Sequence, residues 1–477
     1  MNTKKIIGWV VSIGLTLLLW FLPTESFGVE GMTVIEQRVI ALFVFAAVMW
    51  IFESIPIWAT SVVIMALMLF TTSDSMLSFL KTGDNLGTPI SYKAIMAAFA
   101  DPTVMLFMGG FVLAIGASKY KLDVNLARIV IRMFGSKPHM VMLGFIVITA
   151  VLSMFMSNTA TAAMMITILL PVLNSMPDTD IKGRIGLALA IPVAANVGGI
   201  GSPIGTPPNV VAVRYLEESL GIEIGFLQWM RVMVPLAMII LFLTWLLLNM
   251  MYKSKQKEIY IQIDSQWERG PKAWTVYITF TLTILLWLLG KDLLGLNANV
   301  VALFPFAVFC ITGVFEKKDL GRIDWDVLWL VAGGFALGVG IDKTGLAAHL
   351  VATIPFDTWP AMLVILGSGV LCLVMSTFMS NSATAALLIP ILVAVATGMG
   401  PQLEPFGGAA TLIIGLALSA SFAMALPIST PPNAIAYSKT GFIKQKDMAL
   451  VGVFVGVISL VIGYLVLIFA GTAGLFN

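Results

Sequence analysis

Charge is what this sequence has least of. Of its 477 residues 11% are charged and 59% hydrophobic, and the mean hydropathy is +0.99. A soluble domain carries about 25% charged residues, so the composition points to an integral membrane protein. Histidine is nearly missing: His139 and His349 are the only two, and neither belongs to an H-E-x-x-H motif. That removes the commonest membrane metalloprotease signature. Cys310 and Cys372 lie in apolar runs without C-x-x-C or metal-ligand spacing, which excludes a disulfide framework and predicts two buried thiols. The apolar stretches suit helices of about 20 residues, not the alternating segments of an outer-membrane barrel. A net charge of +2 is no signature of a nucleic-acid partner, and none is expected.

What the chain does have is a series of apolar segments. They fall at 6–22, 34–52, 55–72, 98–118, 185–213, 226–251, 274–294, 297–315, 326–341, 409–438 and 448–473. Lys4-Lys5 precedes the first, and Pro23-Thr24-Glu25-Ser26 after it offers no A-x-A-like cleavage site, so it reads as a transmembrane helix. Two pairs of shorter pieces, 139–154 with 160–176 and 360–377 with 383–397, flank the polar triads Ser157-Asn158-Thr159 and Ser380-Asn381-Ser382. Each pair reads either as two tight spans or as one re-entrant hairpin. The short lengths and the buried triads favour hairpins, because non-helical backbone at membrane depth is tolerated where protein or a water-filled cavity surrounds it. Hairpins leave eleven spans. With the N-terminus in the cytoplasm, 20 of the 27 basic residues then lie inside, as the positive-inside rule requires. Four tight spans would keep the loops on the same sides, so charge fixes the parity and not the hairpins.

The chain also repeats itself. Met156-Ser157-Asn158-Thr159-Ala160-Thr161-Ala162 recurs as Met379-Ser380-Asn381-Ser382-Ala383-Thr384-Ala385, 223 residues later. Gly205-Thr206-Pro207-Pro208-Asn209 recurs as Ser429-Thr430-Pro431-Pro432-Asn433, and Gly109-Gly110-Phe111 as Gly333-Gly334-Phe335, both at an offset of 224. In the charge-derived topology Gly109 lies on a span running inward and Gly333 on one running outward. The halves are therefore inverted, the architecture of many secondary transporters, whose sites sit at the bilayer midplane between the repeats. One hairpin, tipped by Ser157, enters from the cytoplasm; the other, tipped by Ser380, enters from outside. Residues 252–272 read as a basic cytoplasmic linker. Residues 122–135 read as an interfacial amphipathic helix, with Leu122, Leu126, Ile129, Val130 and Phe134 opposed to Asp123, Arg128 and Arg132.

Four polar, helix-interrupting clusters in apolar sequence ask for a common purpose. Ser157 and Asn158 are N-cap residue types placed where a hairpin's second arm begins, and free N–H groups there attract anions. Pro207-Pro208 and Pro431-Pro432 suit the first turn of a restarting half-helix, with Thr206 and Thr430 at its mouth. Carbonyls at the ends of the preceding half-helices, with the Ser and Asn oxygens, form hard-ligand shells suited to Na⁺. Two quasi-symmetric cation sites beside one anion site follow. A lone Ser-Asn-Thr in a membrane helix is ordinarily interhelical glue, and a lone Pro-Pro a kink; finding both twice, in one register, favours the site. No Arg or Lys lies near any cluster, so dipoles, hydroxyls, amides and cations must hold the anion. Glu53, Lys119 and Asp342-Lys343 fall at helix ends and read as interfacial charges.

These residues resemble the divalent anion/sodium symporter family of dicarboxylate, citrate and sulfate transporters. Both Ser-Asn-Thr-type tips, both Pro-Pro-Asn breaks, Glu53-Ser54-Ile55-Pro56 and the stretch from Ser421 to Asn433 carry the resemblance. It covers nearly the whole chain. The resemblance implies a homodimer, with scaffold and transport domains moving as an elevator. It also implies one Na⁺ site at Ser153, Ser157, Asn158 and the Gly205 carbonyl, and a second at Ser376, Asn381 and the carbonyls of Met379 and Ser429. Substrate carboxylates would meet Asn158, Thr159, Thr206, Pro207, Asn381, Ser382, Thr430 and Pro431. Ser382 departs from the family pattern, which usually has Thr there.

The expectation is therefore an all-α polytopic protein of about eleven transmembrane helices and two re-entrant hairpins. Residues 1–97 would form N-terminal scaffold helices and 98–251 the first repeat. Residues 252–325 would form the linker and further scaffold helices, and 326–477 the second repeat. It would carry C4-type dicarboxylates such as succinate across the inner membrane, coupled to Na⁺. A sodium-independent exchanger of the same fold, or a sulfate or citrate carrier, is the alternative. An antiporter with an essential carboxylate is disfavoured, because none of the four clusters contains Asp or Glu, and an intramembrane enzyme because Ser157 and Ser380 lack a His or Lys partner in their segments.

Overall fold

The computed structural model describes residues 3–29, 31–82, 85–259, 263 and 265–476. Its elements are helices throughout; among the described residues the one strand-like pairing is an isolated bridge between Ser73 and Ile90. Among the described residues eleven helices are long and apolar enough to cross a membrane. They do not map one to one onto the eleven expected spans. Asn158–Ser175, Ala361–Phe378 and Asn381–Phe406 reach that length as hairpin arms, whereas Ile57–Thr71, Ala298–Ile311 and Gly408–Ser421 are shorter.

The two halves run through the same elements in the same order. In the first, Pro102–Lys119 and a short helix Leu122–Met133 lead to the hairpin Pro138–Ser153 and Asn158–Ser175. Ile181–Gly199 follows, then an unwound stretch, then Pro207–Leu220 and Phe226–Met251. In the second half Trp325–Lys343 and Leu346–Thr353 lead to the hairpin Ala361–Phe378 and Asn381–Met399. Gly408–Ser421, a second unwound stretch, Pro431–Thr440 and Gln445–Thr472 complete it. The helix Leu346–Thr353 is the counterpart of Leu122–Met133 and was not legible in the sequence, being only eight residues long.

The repeated Gly-Gly-Phe has a packing cause. A Cβ on Gly109 would come within 2.2 Å of the Ala302 carbonyl, and one on Gly333 within 2.3 Å of Ser61 Cβ. Small residues of this kind let membrane helices approach backbone to backbone. The halves then interlock: Asn158–Ser175 packs on Pro431–Thr440, and Asn381–Met399 on Pro207–Leu220. Each hairpin therefore touches the restarted helix of the other repeat. Burial falls outward from this crossing. Asp178–Gly199 is mostly buried, whereas Pro271–Leu294 and Thr3–Phe21 are mostly exposed. Apolar side chains left exposed on the outer helices suit lipid contact.

Two expectations need correction. The helix Leu122–Met133 exists, but its buried face is not the one its pattern suggested: Asp123 is buried and Ile129 exposed. Asp123 can go inside because its carboxylate accepts the Ser118 hydroxyl at 2.6 Å and the Val124 N–H at 2.7 Å. Cys310 is exposed rather than buried, because it sits on the outward face of Leu303–Ile311; Cys372 is buried, and both are free.

Candidate substrate and cation site

Each hairpin tip is closed by the residue its sequence suggested. Ser157 Oγ accepts the Ala160 N–H at 3.2 Å, and Ser380 Oγ accepts the Ala383 N–H at 3.2 Å, so both serines are N-caps. The next residues, Asn158 and Asn381, begin the second arms. Behind them stand Ser153 and Ser376, both fully buried.

These residues make two matched clusters. Ser153 Oγ lies 2.8 Å from the Ala195 carbonyl and 2.5 Å from the Asn158 amide. A hydroxyl has one proton, which goes to the carbonyl, so Asn158 must present Nδ2 to it. In that orientation Nδ2 also reaches the carbonyls of Ala195 and Gly205, each at 3.2 Å. Three oxygens from three segments thus converge on one amide. In the second repeat Ser376 Oγ lies 3.0 Å from the Ala420 carbonyl and 2.8 Å from Asn381 Oδ1. Glycine permits the first cluster: a Cβ on Gly199 would meet the Asn158 side-chain amide at 2.6 Å.

The unwound stretches are held by the two Pro-Pro-Asn asparagines. Asn209 Nδ2 donates to the carbonyls of Gly199 (3.1 Å) and Ser202 (2.9 Å); Asn433 Nδ2 donates to those of Met424 (2.8 Å) and Leu426 (2.9 Å). Backbone groups freed by the break are satisfied in this way, which gives both asparagines a structural duty. Pro207 and Pro431 open the restarted helices, with Thr206 and Thr430 as N-caps. Each hairpin end is stitched to its break by a serine hydroxyl, Ser202 to the Met154 carbonyl and Ser429 to the Thr377 carbonyl. Met154 and Thr377 are equivalent positions, whereas Ser202 and Ser429 are not.

Together these parts enclose one cavity of about 380 Å³. Its lining includes Ser157, Asn158, Thr159, Gly205, Thr206 and Pro207 from the first repeat, with Asn381, Ser382, Ser429, Thr430 and Pro431 from the second. Ser153, Ser376 and Met379 lie outside that lining. No Lys or Arg belongs to it.

Apolar side chains apart, three residues of the lining, Asn196, Asp324 and Asp326, were not expected from the sequence. Asn196 sits on Ile181–Gly199 and donates Nδ2 to Thr430 Oγ1 at 3.1 Å, crossing between the repeats. Its signal was one asparagine in an apolar run from Ile185 to Val197. Asp324 and Asp326 stand at the start of Trp325–Lys343, on the cavity wall beside Trp58. They lie far along the chain from every cluster, and only folding brings them in. The four motifs contain no carboxylate, but the assembled cavity gains two from outside them. Burial, and after it the charge of Asp326, raises the Asp324 carboxyl above the usual range, while its hydrogen bond with Ser157 acts in the opposite sense.

Residues 3–473 match the family described as the sodium:sulfate symporter transmembrane region. The chain belongs to that family. It is therefore a multi-span secondary transporter of a bacterial transporter family and not an enzyme. Among its symporter-family relatives, the sodium-dependent dicarboxylate transporter SdcS of Staphylococcus saprophyticus is 30% identical over 504 residues, spanning 98% of this chain and 92% of that protein. An uncharacterized transporter of Haemophilus influenzae is 32% identical over 463 residues, 94% and 92% of the two chains. Among solved structures, the Alcanivorax borkumensis YdaH transporter superposes with a TM-score of 0.56 at 14% identity, over 91% of this chain and 98% of that one. That likeness speaks for the helical architecture alone.

Proposed function

We propose that this symporter-family chain carries C4-type dicarboxylates such as succinate across the inner membrane, coupled to Na⁺. One observation carries the reading: the cavity is lined by hydroxyls, amides and two restarted helix ends, with two carboxylates and no basic side chain. A dianion entering alone would meet like charge from Asp324 and Asp326, and only helix dipoles and neutral donors would offset it. Cations bound beside it remove the conflict. The converging oxygens around Asn158, and their counterparts around Asn381, are donors a hard cation prefers. The SdcS relatives support both sodium and dicarboxylate by their names.

In this reading Na⁺ takes the place of the Asn158 amide protons among these oxygens, and the amide turns to present Oδ1. Ser153, Ser157, Asn158 and the Gly205 carbonyl then hold one Na⁺. Ser376, Asn381 and the carbonyls of Met379 and Ser429 hold the other. Asn158, Thr159, Asn381 and Ser382 at the hairpin tips, with Thr206, Pro207, Thr430 and Pro431 at the restarted helices, receive the carboxylates. Thr430 Oγ1 already accepts from Asn196 Nδ2 and from the Asn433 N–H at 3.3 Å, so its own proton is free to donate to a carboxylate. The N-terminus lies in the cytoplasm, and the mouth at Trp58, Asp324 and Asp326 faces the same side. Residues 98–251 and 326–477 form the inverted repeats, residues 1–97 and 252–325 supply scaffold helices and the linker, and two copies assemble as a dimer whose transport domains move as elevators.

The deciding experiment is uptake of radiolabelled succinate, malate, 2-oxoglutarate, citrate and sulfate into proteoliposomes, with Na⁺ or choline outside. Succinate uptake that needs Na⁺ supports the reading. Equal uptake in both media sinks the symport.

A further inference from the structure

At the basic end of the molecule a groove of about 540 Å³ runs between the base of the first hairpin, the start of Ile181–Gly199, the end of Phe226–Met251 and the linker. Its upper rim carries Lys137, Lys253 and Lys257, and its lining contains no Asp or Glu. Among the described residues these three lysines form no ion pair. The lower wall is apolar: Leu246 and Met250 line it and are 39% and 82% exposed, with Phe242 exposed one turn below. These residues recur every fourth position on the outer face of the apolar 26-residue helix Phe226–Met251, so the wall faces hydrocarbon. Trp245 marks the boundary, its Nε1 donating to the His139 carbonyl at 2.8 Å.

The groove is built rather than incidental. Asp180, 1% exposed, accepts the Ser254 hydroxyl at 2.5 Å and the Lys255 N–H at 3.1 Å. A Cβ on Gly183 would meet Ser254 Cβ at 2.7 Å, so only glycine lets the linker sit this close. This seating holds Lys253 and Lys257 opposite Lys137. Asp180 is spent on the linker, and among the described residues it forms no ion pair with these lysines.

From these observations we propose that the groove binds one anionic glycerophospholipid of the inner leaflet. The three ammonium groups receive the phosphate-bearing headgroup, and the acyl chains lie along Phe242, Leu246 and Met250. A soluble anion has no use for the apolar wall, and a zwitterionic lipid has no use for three lysines in a lining without Asp or Glu. Basic pockets between helices on the cytoplasmic side recognise anionic headgroups by this combination. The occupant would brace the base of the hairpin that carries Asn158.

The test is native mass spectrometry of the full chain, delipidated in detergent and titrated with phosphatidylglycerol or phosphatidylcholine. Wild type should keep one phosphatidylglycerol in preference to phosphatidylcholine. The triple variant K137Q/K253Q/K257Q should bind it at least about tenfold more weakly, since each lysine contributes separately to the attraction. K137R/K253R/K257R should restore retention. Met250→Glu, which leaves the lysines in place, should weaken it by setting a carboxylate on the acyl wall. Equal retention of both lipids by wild type overturns the proposal. So does full retention by a folded triple glutamine variant, or displacement of the lipid by inorganic phosphate at the same concentration.

Discussion

Asn196 Nδ2 donates to Thr430 Oγ1 at 3.1 Å, and Asn433 Oδ1 stands 3.4 Å from the same nitrogen. This is a side-chain link between the repeats at the cavity itself. It has no mirror image, since the position 224 residues on is Ala420. Asn196→Ala should therefore fit without strain yet leave Thr430 less firmly aimed. Loss of one such bond corresponds to about 1 kcal/mol, or roughly a fivefold rise in KM for succinate. Half-saturating Na⁺ should move less. Uptake kinetics at fixed Na⁺ check this, and an unchanged KM would show that Thr430 needs no support from Asn196.

Asn158 and Asn381 occupy equivalent places, and each is the amide at the centre of a Ser–Asn–carbonyl cluster. Alanine at either position should abolish Na⁺-driven uptake while the protein still elutes as a folded species from size exclusion. The expected loss exceeds tenfold, because the site forfeits an oxygen ligand and a substrate donor together. Normal transport by either variant would mean the cation and anion subsites have been misplaced.

Asp324 contributes charge to the mouth, and Asn at that position keeps an acceptor for the Ser157 hydroxyl while removing the charge. Asp324→Asn should raise half-saturating Na⁺ by about fivefold, equivalent to roughly 1 kcal/mol of lost attraction. Succinate affinity at saturating Na⁺ should hold or improve. A Na⁺ dependence identical to wild type would leave the carboxylate as a partner of Ser157 only.

Much of this site was readable beforehand because its motifs are local. Ser157 and Ser380 announce N-caps, Pro207 and Pro431 announce first turns, and a common offset joins them. Such signals lie within a few residues of the structure they cause. Asn196 left a trace of the same kind, a single amide in an apolar run, but nothing nearby gave it a partner. Asp324 and Asp326 left none. Their place on the cavity wall depends on Trp325–Lys343 packing against Ile57–Thr71, a tertiary contact between segments that share no pattern. Asp123 misled for a related reason: its charge argued for exposure, and the Ser118 hydroxyl that satisfies it belongs to the preceding helix.

Arg214 gives the sharpest stability prediction. Its Nε donates to Asp101 Oδ2 at 2.6 Å, its second terminal nitrogen lies 2.8 Å from Glu218, and its guanidinium sits 4.0 Å over the Phe335 ring. The Arg214 and Asp101 side chains are 7% and 5% exposed. Removing one partner of a buried pair leaves the other charge uncompensated, at a typical loss of about 3–5 kcal/mol. Arg214→Leu should therefore lower the melting temperature in detergent markedly. Asp101→Asn added to it should recover part of the loss, since the amide is neutral and still accepts the Thr103 N–H at the start of Pro102–Lys119. The rescue separates the buried charge from lost packing. If the double variant melts no higher than Arg214→Leu alone, the stacking of the guanidinium on Phe335, and not its pairing with Asp101, holds Pro207–Leu220 in place.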